Sequence, residues 1–369
     1  GVGDFDFSRG SAATRINSQG LIENVVSGQS RLSYPLIDGK VVGCPHHILE
    51  PARTNLVTYS EDFLDSSWDV FRGSITANSI ISPDGTLNAS KYEEDSQTGS
   101  HIFRRQSLSI TNGLSYTGSI FAKKAELTSI TLQSNSSSRW VASATFDLEN
   151  GTVTSGTGVI EDYGNGWYRC SISGNAVQTT TDAGLEMYTS VGTGRDGDGL
   201  FMYGAMFEQG SYPTSYIKSN SGSATTRSAE TANGAGDATT FSDSEGVLMV
   251  EFSSNNQDVG WIGLGSNSSN RVLLGQSAGN IRSYNNIGGT LINHQSTIDS
   301  NNNNKVAIKY KSGDTDFYIN GFKAFESNSA FTVSTPFDEI QFKNLAGETQ
   351  NFYGKTKQLQ YYNSALTDS

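Results

Sequence analysis

The chain has 369 residues, 35% of them hydrophobic and only 17% charged, with 40 glycines and a formal net charge of −12. That length exceeds what one core serves, so two domains are expected, while the aromatic content and the lack of a long apolar run exclude a disordered chain and a membrane-spanning helix. The acidic balance, with a pI near 4.8, argues against nucleic acid as a partner, because phosphate binding needs a basic face, and it repels anionic glycans at long range.

Residues 1–54 carry short apolar runs, such as Phe5 with Phe7 and Val25 with Val26, broken by Gly10, Gly20, Gly28 and Gly39. These predict strands and hairpins too few to bury a core alone, so the segment is expected to pack on its neighbour in a structural role. It closes at Glu50-Pro51-Ala52-Arg53, where Pro51 ends strand pairing and Arg53 is placed to pair with Glu50 or a carbonyl. Over residues 55–218 the period is two wherever one exists, as in Tyr116-Thr117-Gly118-Ser119-Ile120-Phe121-Ala122, with Asn150-Gly151 and Asn165-Gly166 as turns. This predicts a jelly roll. Cys170 alternates with Tyr168 and Ile172 on one strand face and reads as a buried free thiol. With Cys44 it makes only two cysteines, too few for a disulfide framework.

The stretch 198–230 organises the rest. An apolar run over 200–207 ends at Glu208-Gln209-Gly210, and small polar residues then lead through 219–236, read as a linker. Strands resume in 237–369, where Asn320-Gly321 marks a hairpin tip. The expected fold class is all-β: two tandem β-sandwiches with a short β-rich N-terminal extension. The chain opens on a strand at Gly1 without an initiator Met and is expected to be a segment of a longer or processed polypeptide.

Several stretches carry a resemblance. Asp6-Phe7-Ser8-Arg9-Gly10-Ser11, Glu50-Pro51-Ala52-Arg53-Thr54-Asn55-Leu56, Ser60-Glu61-Asp62-Phe63 with Trp68, and Tyr203-Gly204-Ala205-Met206-Phe207 through Ile217 resemble structural proteins of tailed bacteriophages. In those a carbohydrate-binding-module-like jelly roll precedes a laminin-G or concanavalin A-like domain. Phe317-Tyr318-Ile319-Asn320-Gly321 and Tyr361-Tyr362-Asn363-Ser364-Ala365-Leu366-Thr367 resemble a hairpin and the closing strand of that second domain. The resemblance implies a tail-fibre, spike or capsid-decoration component that adheres to cell-surface glycans, and the inference is by analogy.

Sugar faces pair a flat aromatic with amides and carboxylates. Trp68 and Trp167 read as core. Trp140 with Arg139, and Trp261 with Tyr284, are the candidate carbohydrate-binding residues. Asp196 and Asp198, alternate in a glycine-rich loop, could reach one hard cation such as Ca²⁺, although Asp-Gly pairs also form ordinary turns. The letters Gly192-Thr193-Gly194-Arg195-Asp196-Gly197 match a dinucleotide fingerprint but lack its strand-helix context. His46-His47 would point to opposite strand faces, and the acidic runs Glu93-Glu94-Asp95 and Glu161-Asp162 read as surface loops. No catalytic constellation is evident.

These readings lead to a non-catalytic adhesion or decoration module on the virion surface, partnered by a cell-surface glycan and other virion proteins, with no membrane insertion. A symmetric homotrimer is expected, because repeated weak sites gain avidity. The rivals are a ligand-free fibre spacer and a glycan-degrading lyase or hydrolase, which would need converging carboxylates.

Overall fold

The computed structural model of the chain describes residues 4–254, 258–347 and 350–366. Gly1, and Thr367 of the closing motif, lie outside the described residues. No helix occurs among the described residues, and antiparallel strands dominate, as alternation and Asn-Gly turns dictate. Asn320 and Gly321 both take left-handed φ, 53° and 87°. They form the two-residue loop that joins Thr315–Ile319 to Phe322–Ser327.

The first sandwich packs two six-stranded sheets. One runs Gly73–Ile81, Leu87–Glu94, Gly199–Gln209, Ser115–Lys124, Trp167–Asn175, Val159–Asp162. The other runs Thr152–Gly156, Ser143–Asp147, Ser129–Ser134, Thr180–Thr193, Thr98–Ile110, Trp68–Phe71. Phe103, Ile130, Leu132, Phe146, Met187 and Phe207 fill the space between them. The first sheet is covered on its outer side too, where Phe121, Trp167, Tyr203, Met206 and Tyr216 pack with Ile22 of the extension. Burial on both faces explains why Gly199–Gln209 is apolar at nearly every position instead of alternating. Cys170 lies in the core as a free thiol, with Ile172 and Tyr168 beside it.

The second sandwich packs a seven-stranded sheet on a five-stranded one. The larger runs Phe322–Ser327, Thr315–Ile319, Asn304–Lys311, Glu245–Ser253, Gly354–Tyr362, His46–Leu49, Arg31–Ser33. The smaller runs Thr290–Asp299, Asn280–Ile287, Asn270–Ser277, Gly260–Asn267, Glu339–Gln341. Two strands of the larger sheet therefore come from the N-terminal extension: Arg31–Ser33 pairs with His46–Leu49, which pairs in turn with Gly354–Tyr362 near the other end of the sequence, a non-local contact. The polar segment after residue 218 is paired as well: Thr225–Arg227 runs against Arg53–Asn55, and Thr231–Asn233 against Asp6–Ser8.

A buried ion cluster ties these pieces together. Glu230 accepts from Arg9 Nη1 at 2.7 Å, from Arg31 Nε at 2.8 Å and from Glu50 N at 2.9 Å. Glu50 in turn meets Arg31 at 2.7 Å, Arg227 at 2.9 Å and Ser215 Oγ at 2.6 Å. Arg9, Arg31, Arg227 and Glu230 are all buried. Burial would raise the Glu50 carboxyl, but the Arg227 and Arg31 guanidiniums and Ser215 outweigh it and hold the group well below the usual carboxylate range. Asn55 does the same work without charge, donating to Ala205 O and Ile217 O and accepting from Val57 N and Phe207 N.

Candidate functional site

Beside this cluster the extension and both sandwiches enclose a cleft of about 460 Å³. Its wall includes the rings of Tyr34, Tyr163, Tyr212 and Tyr353, with Arg15, Asp38, Asp162 and Lys355 as polar groups. Pro35 follows the strand Arg31–Ser33, and the chain then makes a small hairpin, Leu36–Ile37 with Lys40–Val41. At its tip Asp38 and Gly39 have φ of 48° and 66°, the conformation a two-residue hairpin loop requires. That tip rests on the loop after Asp162: a Cβ on Gly39 would meet Gly164 Cα at 2.5 Å and Asp162 Oδ1 at 2.6 Å. Asp162 itself accepts from Gly164 N at 2.8 Å, so the two turns form one wall.

Burial, with help from the Glu161 charge, pushes the Tyr163 phenol up to about 12. Burial does the same to Tyr212, also to about 12. Both stay protonated at neutral pH and can donate to a ligand oxygen. At the back Arg169, also buried, donates to Thr214 O at 2.6 Å and to Ser119 Oγ at 3.1 Å. Flat rings beside fixed donors and acceptors suit a polar ligand with apolar faces. The carboxylate deepest in this wall, Glu50, is held ionised by two guanidiniums and is poorly suited to deliver a proton.

The sequence-predicted residues fall elsewhere, and two expectations are corrected. Trp140 is fully buried, not displayed in a polar turn. The turn folds back so that its ring lies edge-on to Phe207 at 5.1 Å and its indole N–H is satisfied by Gly184 O at 3.0 Å. Its neighbour Arg139 stays near the surface and pairs with Asp182. Trp261 is only 3% exposed. Gln350 Oε1 accepts from its indole N–H at 3.1 Å, Asn351 bridges to its backbone, and Leu345 packs beside it.

The structure does bring Trp261 and Tyr284 together, with ring centroids 6.1 Å apart on the outer face of the five-stranded sheet. Asp196 is exposed and Asp198 partly so, in a turn closed by Asp198 N donating to Arg195 O. Two carboxylates are few for Ca²⁺, which takes six to eight oxygens, and among the described residues no group of three or more His, Cys, Asp or Glu is placed to hold a metal. Glu94 is a further correction. It is the buried last residue of the strand Leu87–Glu94, not part of a surface loop, and Thr189 Oγ1 and Arg195 N satisfy its carboxylate at 2.7 and 3.0 Å. His47 packs between Phe7 and Phe342, at 6.0 and 5.9 Å.

The sequence matches no protein-family model and no curated protein. Among solved structures, similarity extends to domains LG4–5 of the mouse laminin α1 chain, with 10% identity over 74% of this chain and 93% of that one, at a TM-score of 0.28. It also extends to a Bacteroides ovatus protein provisionally described as carbohydrate-binding, with 12% identity over 75% and 80% and a TM-score of 0.30. At these scores the likeness assigns no ligand.

Sequence reasoning missed the cleft residues. The Asp38-Gly39 and Asn165-Gly166 dipeptides announce two turns, but nothing local says that a turn of the extension and a turn of the first sandwich meet.

Proposed function

We propose that the chain is a non-catalytic adhesion module of a bacteriophage virion surface, holding a cell-surface glycan in the junction cleft. The observation that carries this reading is the cleft itself: about 460 Å³, walled by Tyr34, Tyr163, Tyr212 and Tyr353 with Arg15, Asp38, Asp162 and Lys355 as polar groups. The sequence resemblance to phage structural proteins supplies the virion setting, and presentation as a homotrimer with other virion proteins would multiply a modest affinity.

A glycan array probed with the purified chain, with and without Ca²⁺, tests it. Retention should occur and should weaken about tenfold, or ~1.4 kcal/mol, in Tyr212→Ala, with no product released from the retained glycans. Product release would instead point to an enzyme. Retention that needs Ca²⁺ and fails in Asp198→Asn would move the site to the Asp196/Asp198 loop. Light scattering that finds only monomer would remove the trimer.

A further inference from the structure

We propose that the outer face of the five-stranded sheet is a second recognition site, specific for a sugar residue bearing a carboxylate, with Arg271 and Arg282 gripping the acid over the ring of Tyr284. This site is separate from the junction cleft and stands or falls independently of it. Register puts the groups on one face: Leu273 pairs with Tyr284, Gly275 with Arg282, and Tyr284 with Asn293. The intervening residues Val272, Leu274, Ile281 and Ile287 go to the core.

The two guanidinium carbons lie 5.2 Å (Arg271) and 5.6 Å (Arg282) from the Tyr284 ring centre, and Arg282 is also 5.6 Å from that of Trp261. Their side-chain partners are amides: Arg271 Nη1 donates to Asn344 Oδ1 at 2.7 Å, and Arg282 Nε to Asn293 Oδ1 at 3.1 Å. Among the described residues no carboxylate forms an ion pair with either, both being held only by amide oxygens. Arg271 is 8% exposed and its Nε is buried without an acceptor.

Two cations within 5.6 Å of one ring centre repel each other, and in a chain of net charge −12 the acids to neutralise them are plentiful, yet among the described residues none pairs with either. A ligand carboxylate supplies the missing charge. The guanidinium fork matches a carboxylate's two oxygens, and the apolar face of a pyranose covers the Tyr284 ring. The long-range repulsion expected from the acidic chain is screened beyond about 8 Å at physiological salt, so short-range pairing governs binding.

The test is ligand-observed NMR of the intact chain with three acidic probes: tetragalacturonate, a hyaluronan tetrasaccharide and a trimer of sialic acid. The methyl ester of each serves as its neutral counterpart. At least one acid should bind and its ester should not, with binding weaker at about 0.3 M than at about 0.05 M NaCl. Arg282→Gln should weaken it roughly 10- to 100-fold, with Arg282→Lys in between, while Tyr212→Ala leaves it unchanged. Thermal midpoints of the variants matching the parent establish that they fold. Failure of all three acids to bind, equal binding of acid and ester, or indifference to Arg282→Gln would overturn the proposal.

Discussion

Glu230 shows how much one side chain carries here. It has no exposed surface and accepts from two guanidiniums and a backbone N–H drawn from three separate stretches. Glu230→Gln keeps the shape but leaves Arg9 and Arg31 short of charge, and removing one partner of a buried pair typically costs about 3–5 kcal/mol. Urea unfolding should show that loss as a lower midpoint at unchanged slope. Glu50 adds a pH dependence. Its folded carboxyl lies below its ordinary value of 4.5, so its contribution is complete above that value and is lost as pH falls through the folded one. Glu208 runs the other way, since burial raises its carboxyl despite the Thr214 N–H and hydroxyl; its contribution is present below 4.5 and lost as pH rises through the folded value. Urea midpoints between about pH 6 and about pH 3 should fall on acidification in the parent. The fall should be smaller in Glu50→Gln, and an identical fall in both would sink the assignment. None of this pairing was legible in sequence. Arg9, Arg31, Glu50 and Glu230 lie far apart along the chain; of the expectation that Arg53 pairs with Glu50 or a carbonyl, the carbonyl half holds, since Arg53 donates to Ala52 O at 3.2 Å, while the acid it reaches, at 3.7 Å, is Glu208.

Elements defined by local chemistry were legible, and elements defined by company were not. Asn320-Gly321 needs no distant partner to fix its turn, and the Trp167 strand announces its alternation. Trp140 and Trp261 failed because exposure is set by what folds against a residue: Gly184 and Phe207 in one case, Leu345 and Gln350 in the other. The pair Arg282 and Tyr284 could have been read, since residues two apart share a strand face, whereas Arg271 joins them only through register. The hairpin at Asp38-Gly39 combines both kinds of constraint. Gly39→Ala should be poorly tolerated, because φ is +66° and the methyl would strike the Gly164 backbone. The expected result is loss of glycan retention at the cleft with the five-stranded sheet untouched. Hydrogen exchange at residues 36–41 should rise while that of Gly260–Asn267 stays the same, and equal protection at both places would remove the hairpin as a wall of the site.

At the scale of the whole molecule the extension is a shared part of both sandwiches, not a preface to them. Residues 1–54 supply two strands of the seven-stranded sheet, Ile22 in the outer layer of the first sandwich, and three members of the ion cluster. Deleting them leaves Glu230 without Arg9 and Arg31, and Arg227 without Glu50. Each buried charge so stranded costs about 3–5 kcal/mol, against a total stability of about 5–15 kcal/mol for a typical domain. The strand Gly354–Tyr362 would also lose its neighbour His46–Leu49 and become an open edge. Residues 55–369 alone should therefore aggregate or lose protection at the amides of Gly354–Tyr362, and adding residues 1–54 as a separate chain should restore it, because the lost pairing is non-covalent. A truncated chain that protects those amides as well as the parent would show that the second sandwich stands without the extension, and the cleft would then be a surface between independently folded neighbours instead of a product of one cooperative fold.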